Sequence, residues 1–243
     1  MTALEFFLIS ILYFWASSTA LSLGIGYYTI YRPVISGFMT GFILGDPFLG
    51  MMAGAVVNII YMNFVSTGGS FKGDQCLTAV VAAAALVKLG FDTVEAAAFA
   101  YPFGYMGILI WKYRLNINSI FVNKYEKDYE DGKHPNISLY DGLYPQLLLY
   151  VMSTMVVGAA LLIMLLSGKI IMNYYENIKL LLFMAGMFLV SFSVINILIN
   201  LKNKYAYLSF GVFFLIVIIF DISSYWFLLA SAIILFVLSN KNI

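Results

Sequence analysis

The chain has 243 residues, of which 63% are hydrophobic and only 10% charged, with a mean hydropathy of +0.93 and a formal net charge of +1. A soluble domain is nearer about half apolar and about a quarter charged, so this composition is that of a polytopic membrane protein. The near-neutral charge leaves no basic footprint for nucleic acid, and the single cysteine, Cys76, excludes an intrachain disulfide and a multi-cysteine metal site.

The N-terminus carries an acid at Glu5 and no basic region, which argues against a cleaved signal peptide. Residues 6–31 are uncharged and long enough for a first span, since a bilayer core takes about 20 apolar residues as helix. Tyr27 and Tyr28 mark its end at a membrane interface. Arg32-Pro33 opens a new element, with proline suited to the first turn of a helix. As a helix, Val34 to Leu44 rises only about 17 Å, roughly half a bilayer core, so the expectation is a half-helix or re-entrant segment.

From Tyr31 to Asp74 the chain is apolar yet broken twice, at Gly45-Asp46-Pro47 and at Ser66-Thr67-Gly68-Gly69-Ser70. Such breaks are tolerated in a membrane only where they are buried in protein or line a wet cavity, and broken helices mark substrate sites in transporters. Gly37, Gly41 and Gly45 recur every four residues, and Gly50 and Gly54 repeat the spacing. That pattern favours close helix packing. Phe48 to Phe64 carries Asn58 and Asn63, which must find a partner or water.

Leu77 to Leu89 is alanine-rich and suits tight packing, with Lys88 able to snorkel from its end. Asp92-Thr93-Val94-Glu95 reads as a helix start. Pro102 kinks the following span or ends a helix early. Residues 112–141 form the only long hydrophilic segment, with five basic and five acidic residues and the only histidine, His134. Spans follow at Gly142 to Ser167 and Leu180 to Leu201, then a hairpin of two short halves, Tyr205 to Phe220 and Ile222 to Leu238, turning at Asp221. A cytoplasmic linker puts eight Lys and Arg residues of the linker and later loops inside and only Lys169 and Lys179 outside, so the positive-inside rule favours a cytoplasmic linker and C-terminus. The expected fold is all-α and polytopic: a membrane half over 1–111 with the broken-helix unit, a hydrophilic linker over 112–141, and a helical bundle over 142–243.

Arg32-Pro33, Gly41, Leu44-Gly45-Asp46, Gly50, Gly54, Gly68 and Asp74 together resemble the IIC membrane subunit of the mannose/sorbose family of bacterial phosphotransferase-system (PTS) sugar transporters. The resemblance is ungapped from Arg32 to Leu77 and weakens beyond about Phe103. It implies a permease subunit in the bacterial cell membrane that translocates a hexose or amino sugar. It also implies a IID membrane partner in an oligomeric complex, and soluble IIA and IIB phosphocarriers that carry the phosphate. On that logic the chain is not itself an enzyme, has no cofactor or metal, and His134 is no phosphocarrier. The chain departs from the best-known branch of that family. Asn58 stands where that branch has a glutamate, Gly26 and Tyr27 where it has an Asp-Glu pair, Tyr31 where it has a histidine, and Gly73 where it has a proline.

The candidate sugar contacts are Asp74, Asn58, Ser66, Thr67 and Gln75. A carboxylate such as Asp74 accepts hydrogen bonds from two sugar hydroxyls; the competing reading is a helix N-cap. Asn58 donates to and accepts from a hydroxyl, or else makes an interhelical hydrogen bond. Ser66 and Thr67 line a cavity or simply turn the chain. Asp46 sits in a turn signal and reads as structural; Arg32 reads as an interface anchor. Two other functions fit the same residues: a stand-alone solute transporter, and a non-transporting scaffold subunit of a membrane complex. No nucleophile–base pair, metal cluster or phosphate loop is visible.

Overall fold

The computed structural model describes residues 1–18, 25–62, 73–201, 208 and 210–212. Asn63, the candidates Ser66 and Thr67, and most of the final hairpin lie outside the described residues. The chain divides into two compact units, Met1–Ser193 and Val194–Ile243, and the first holds the helices between Ala3 and Asn173 and the first part of the helix Tyr175–Leu201. It is a multi-pass, all-helical membrane protein: short apolar helices fill its N-terminal half and long apolar helices follow.

Helix α1 (Ala3–Ser17) begins in a capping box, with Glu5 N–H donating to Thr2 Oγ1 and Thr2 N–H donating to Glu5 Oε2. It is shorter than the span expected over 6–31. The Ser18 backbone N–H closes the helix on Phe14 O, and the buried Ser18 hydroxyl donates to Gln146 Oε1 at 2.7 Å. A helical turn, α2 (Ile25–Tyr28), precedes Arg32.

Helix α3 (Pro33–Leu44) has proline in its first turn and ends at Gly45, which adopts φ 100°. A residue with a Cβ is strained there, whereas glycine is not. Asp46 caps α4 (Pro47–Tyr61) by accepting from Leu49 N–H at 3.0 Å. The two half-helices thus fold back on each other as a hairpin. Their glycines meet backbone to backbone: a Cβ on Gly37 would lie 2.5 Å from Gly50 O, and a Cβ on Gly54 would strike Pro33 O. The four-residue glycine spacing is therefore a packing face, which side chains would wedge open.

Helix α5 (Gln75–Leu89) is buried without interruption from Cys76 to Leu86. A helix apolar on every side belongs at a core. Its alanines, Ala79 and Ala82 to Ala85, let α1, α3, α4, α6, α7 and α8 all pack against it. Helix α6 (Thr93–Ala100) starts in the Asp92–Glu95 capping box, and a 3-10 turn at Tyr101–Phe103 carries Pro102 before α7 (Gly104–Glu130). Proline denies the helix one N–H, and the break falls there as expected. Helix α7 continues past Trp111 into the hydrophilic segment, where Lys133 Nζ donates to Asp128 Oδ1 at 2.7 Å.

Helix α8 (Tyr144–Asn173) is 30 residues, about 45 Å at the usual helical rise, and crosses a bilayer with length to spare. Helix α9 (Tyr175–Leu201) follows after a one-residue turn. Helices α1 and α8 run antiparallel. Ser18 meets Gln146, Phe6 fills the notch at Gly158, and Leu89 of α5 fills that at Gly168. Lys88 Nζ donates to Glu5 Oε1 at 2.9 Å, tying the end of α5 to the start of α1. Tyr175 OH donates to buried Glu95 Oε2 at 2.6 Å, tying the start of α9 to the start of α6. The N-terminus and the turns 90–92 and 173–175 therefore share one face, and the linker lies at the other.

Candidate functional site

Asp74 stands where α1, α4, α5 and α7 converge, at the point where the second break re-enters helix. It is completely buried. Its Oδ1 accepts from Leu77 N–H at 2.9 Å, which makes it the N-cap of α5. Its Oδ2 accepts from the Tyr13 hydroxyl of α1 at 2.6 Å. Its backbone N–H donates to Gly104 O at 2.9 Å, and its carbonyl accepts from Thr78 Oγ1 at 2.8 Å. Thr78 has a single hydroxyl proton, already directed to that carbonyl, so Tyr61 OH is the donor in its 3.1 Å contact with Thr78 Oγ1.

Glycine makes the convergence close. The Asp74 carboxylate fills the space a Cβ on Gly107 would take, and a Cβ on Gly104 would lie 2.5 Å from both Tyr61 OH and Thr78 Oγ1. Tyr31 is buried beside the same carboxylate, with its ring edge-on to Trp111 at 6.4 Å between centroids. A buried carboxylate is costly unless hydrogen-bonded; here each oxygen has a donor, and Tyr31 and the Cys76 backbone N–H lie against the same carboxylate.

Gln75 occupies the first turn of α5, and Asn58 lies one turn before Tyr61 on α4. Both are half-buried, and neither side-chain amide makes a hydrogen bond among the described residues. On the neighbouring α9, Ser193 Oγ donates to Ile59 O at 2.8 Å, pinning the backbone next to Asn58. Asp46 is the cap its turn signal predicts, and Arg32 is exposed at the start of α3. Among the described residues no three metal-ligating side chains converge.

Sequence reasoning singled out Asp74, Asn58 and Gln75 as candidates and did not single out Tyr13, Tyr61 or Thr78, which engage Asp74 and its helix. Tyr13 is one of 18 tyrosines, and nothing local distinguishes it.

The family model of the sorbose-specific IIC component of the PTS system matches residues 3–238. The chain belongs to this family. It is 26% identical over 110 residues to the sorbose-specific EIIC component of the PTS system from Klebsiella pneumoniae, a match covering 45% of this chain and 41% of that protein. The match to that curated relative thus spans about two fifths of the relative's length. A solved structure described as a membrane protein superposes with a TM-score of 0.68 at 18% identity, covering 99% of this chain and 96% of that one. A cryo-EM structure of the mannose transporter ManYZ in complex with the microcin MceA superposes with a TM-score of 0.51 at 17% identity, with the same coverage. These two likenesses bear on the fold. Tyr31 and Gly73 stand on either side of the Asp74 site: Tyr31 is buried beside the carboxylate and Gly73 precedes it in the chain. A Cβ on Gly73 would lie 2.6 Å from Tyr61 OH, so tyrosine takes room that a larger residue at 73 would need.

Proposed function

We propose that this chain is the permease subunit of a PTS sugar transporter. In this reading it carries a hexose or amino sugar across the bacterial cell membrane to a IIB partner, which performs the phosphoryl transfer. Membership of the IIC family carries the proposal, and the broken-helix unit around Asp74 supports it. The chain works with a IID membrane partner, as the ManYZ pairing suggests, and with soluble IIA and IIB proteins on the linker side. The membrane half 1–111 holds the pathway, the linker 112–141 faces the cytoplasm together with the C-terminus, and 142–243 forms the second membrane half.

The sugar-contacting set is Asn58, Ser66, Thr67 and Gln75, anchored by Asp74. The free, half-buried amides of Asn58 and Gln75 support this assignment. An amide offers both a donor and an acceptor, as a sugar hydroxyl does, and a polar group left unpaired inside a membrane is costly unless a solute or water meets it. Asp74 joins the set as the carboxylate that adjoins Gln75 at the start of α5.

The deciding assay is uptake of radiolabelled hexoses and amino sugars in cells co-expressing this chain with its IIA, IIB and IID partners, read as intracellular sugar phosphate. Phosphorylated product that requires the soluble phosphocarriers is the expected result. Free sugar accumulating without them would replace this reading with an independent transporter. No uptake by a fully assembled complex would leave a scaffold subunit.

A further inference from the structure

We infer that Tyr13 is a positioning residue of the solute pathway: its hydroxyl holds Asp74 against α1 and so fixes the point where the glycine-rich break re-enters helix. The inference rests on the permease reading above, which places that break along the pathway. Tyr13 and Asp74 lie 61 residues apart, both are completely buried, and their 2.6 Å hydrogen bond has the length of an O–H donor facing a carboxylate. The Tyr13 ring shares a fully buried face of α1 with Ile9 and Ala16, so packing settles where its hydroxyl points. Across from it, α7 contributes no side chain at Gly107 and takes the Asp74 N–H on the Gly104 carbonyl. Asp74 is therefore gripped from two sides, and α5 cannot slide or rotate at its first turn while both grips hold.

What this grip places is Gln75, the next residue, whose amide is free. Losing the hydroxyl leaves Tyr31 as the remaining side-chain neighbour of the buried Asp74 carboxyl, and the first turn of α5 then moves toward it. A moved binding group weakens sugar binding more than it slows the steps after binding, so the effect belongs in KM.

Tyr13→Phe tests this, because it removes the hydroxyl and keeps the ring. In the whole complex with its partners, KM for sugar is expected to rise about fivefold with little change in maximal rate. The double variant Tyr13→Phe/Asp74→Asn should transport no worse than Asp74→Asn alone, since both changes disturb one bond. The protein carries its own second readout: Cys76, the lone cysteine, is fully buried two residues beyond Asp74. Its alkylation by a membrane-permeant maleimide should run about tenfold faster in Tyr13→Phe, because the first turn of α5 opens more often. Unchanged KM with unchanged labelling overturns the inference, as does a lower maximal rate at constant KM that tracks loss of assembled protein. If the wild-type complex takes up no sugar, the permease reading fails, and labelling alone decides: equal Cys76 rates in both proteins overturn the grip as well.

Discussion

Asp74 is a cap and a cross-link at once, and the two roles separate by substitution. Asparagine caps a helix about as well as aspartate, so Asp74→Asn keeps the bond to Leu77 N–H and weakens the one from Tyr13. Alanine keeps neither, and strands a buried tyrosine hydroxyl and a backbone N–H. Losing the cap, which frees the Leu77 N–H, costs about 1 kcal/mol, and the stranded tyrosine hydroxyl about 1–3 kcal/mol. Asp74→Ala is therefore expected to lower stability by roughly 2–4 kcal/mol, and Asp74→Asn by less than half of that. Thermal unfolding of the purified protein in detergent checks the order. Asn58 belongs to a different class, since it holds nothing together among the described residues. Asn58→Ala is expected to leave the melting temperature in place and raise the KM for sugar about tenfold, the worth of one good hydrogen bond. A melting shift without a KM change would make Asn58 a structural residue.

The α3–α4 hairpin shows why part of this fold was readable from sequence. Pro33 at the start, Gly45 at the stop and Asp46-Pro47 at the restart are local signals, each acting within a few residues of itself, and the elements fall where those signals put them. The capping box at Asp92–Glu95 and the break at Pro102 belong to the same class. The end of α1 does not: it stops at Ser17, and the Ser18 hydroxyl bonds Gln146, 128 residues away. The Tyr13–Asp74 bond escapes a sequence reading for the same reason. Glycines within the hairpin differ in what they tolerate. Gly50→Ala drives a Cβ into the backbone of α3, where nothing can rotate aside, so the helices must part. It is expected to cost about 3 kcal/mol, near the upper end of core overpacking. Gly45→Ala meets nothing within 4 Å and suffers only its positive φ, a penalty of about 1–2 kcal/mol. The yield of monodisperse protein on size exclusion should fall much further for Gly50→Ala than for Gly45→Ala. Equal yields would mean that the two half-helices do not need this close approach.

Two side-chain ties, Lys88 with Glu5 and Tyr175 with Glu95, set the topology of the first unit: the first joins the end of α5 to the start of α1, and the second joins the start of α9 to the start of α6. They put the N-terminus beside the turns 90–92 and 173–175, and α7 and α8 carry the linker to the far face. In the proposed orientation, taken from the Lys and Arg count of the linker and later loops, that far face is the cytoplasmic one, where a soluble phosphocarrier would meet the permease. This orientation is testable with single thiols in a Cys76→Ala background, because that substitution removes the only native cysteine. Asn173 and His134 are both exposed and stand at opposite ends of the α8 path. A membrane-impermeant maleimide applied to intact cells should label Asn173→Cys, and should label His134→Cys only after the cells are permeabilised. The reverse pattern would put the linker outside, beyond reach of any soluble phosphate donor, and the group-translocation reading would fall with it. Labelling of both positions from one side would mean that α8 does not cross the bilayer, which its apolar length and its antiparallel pairing with α1 both argue against.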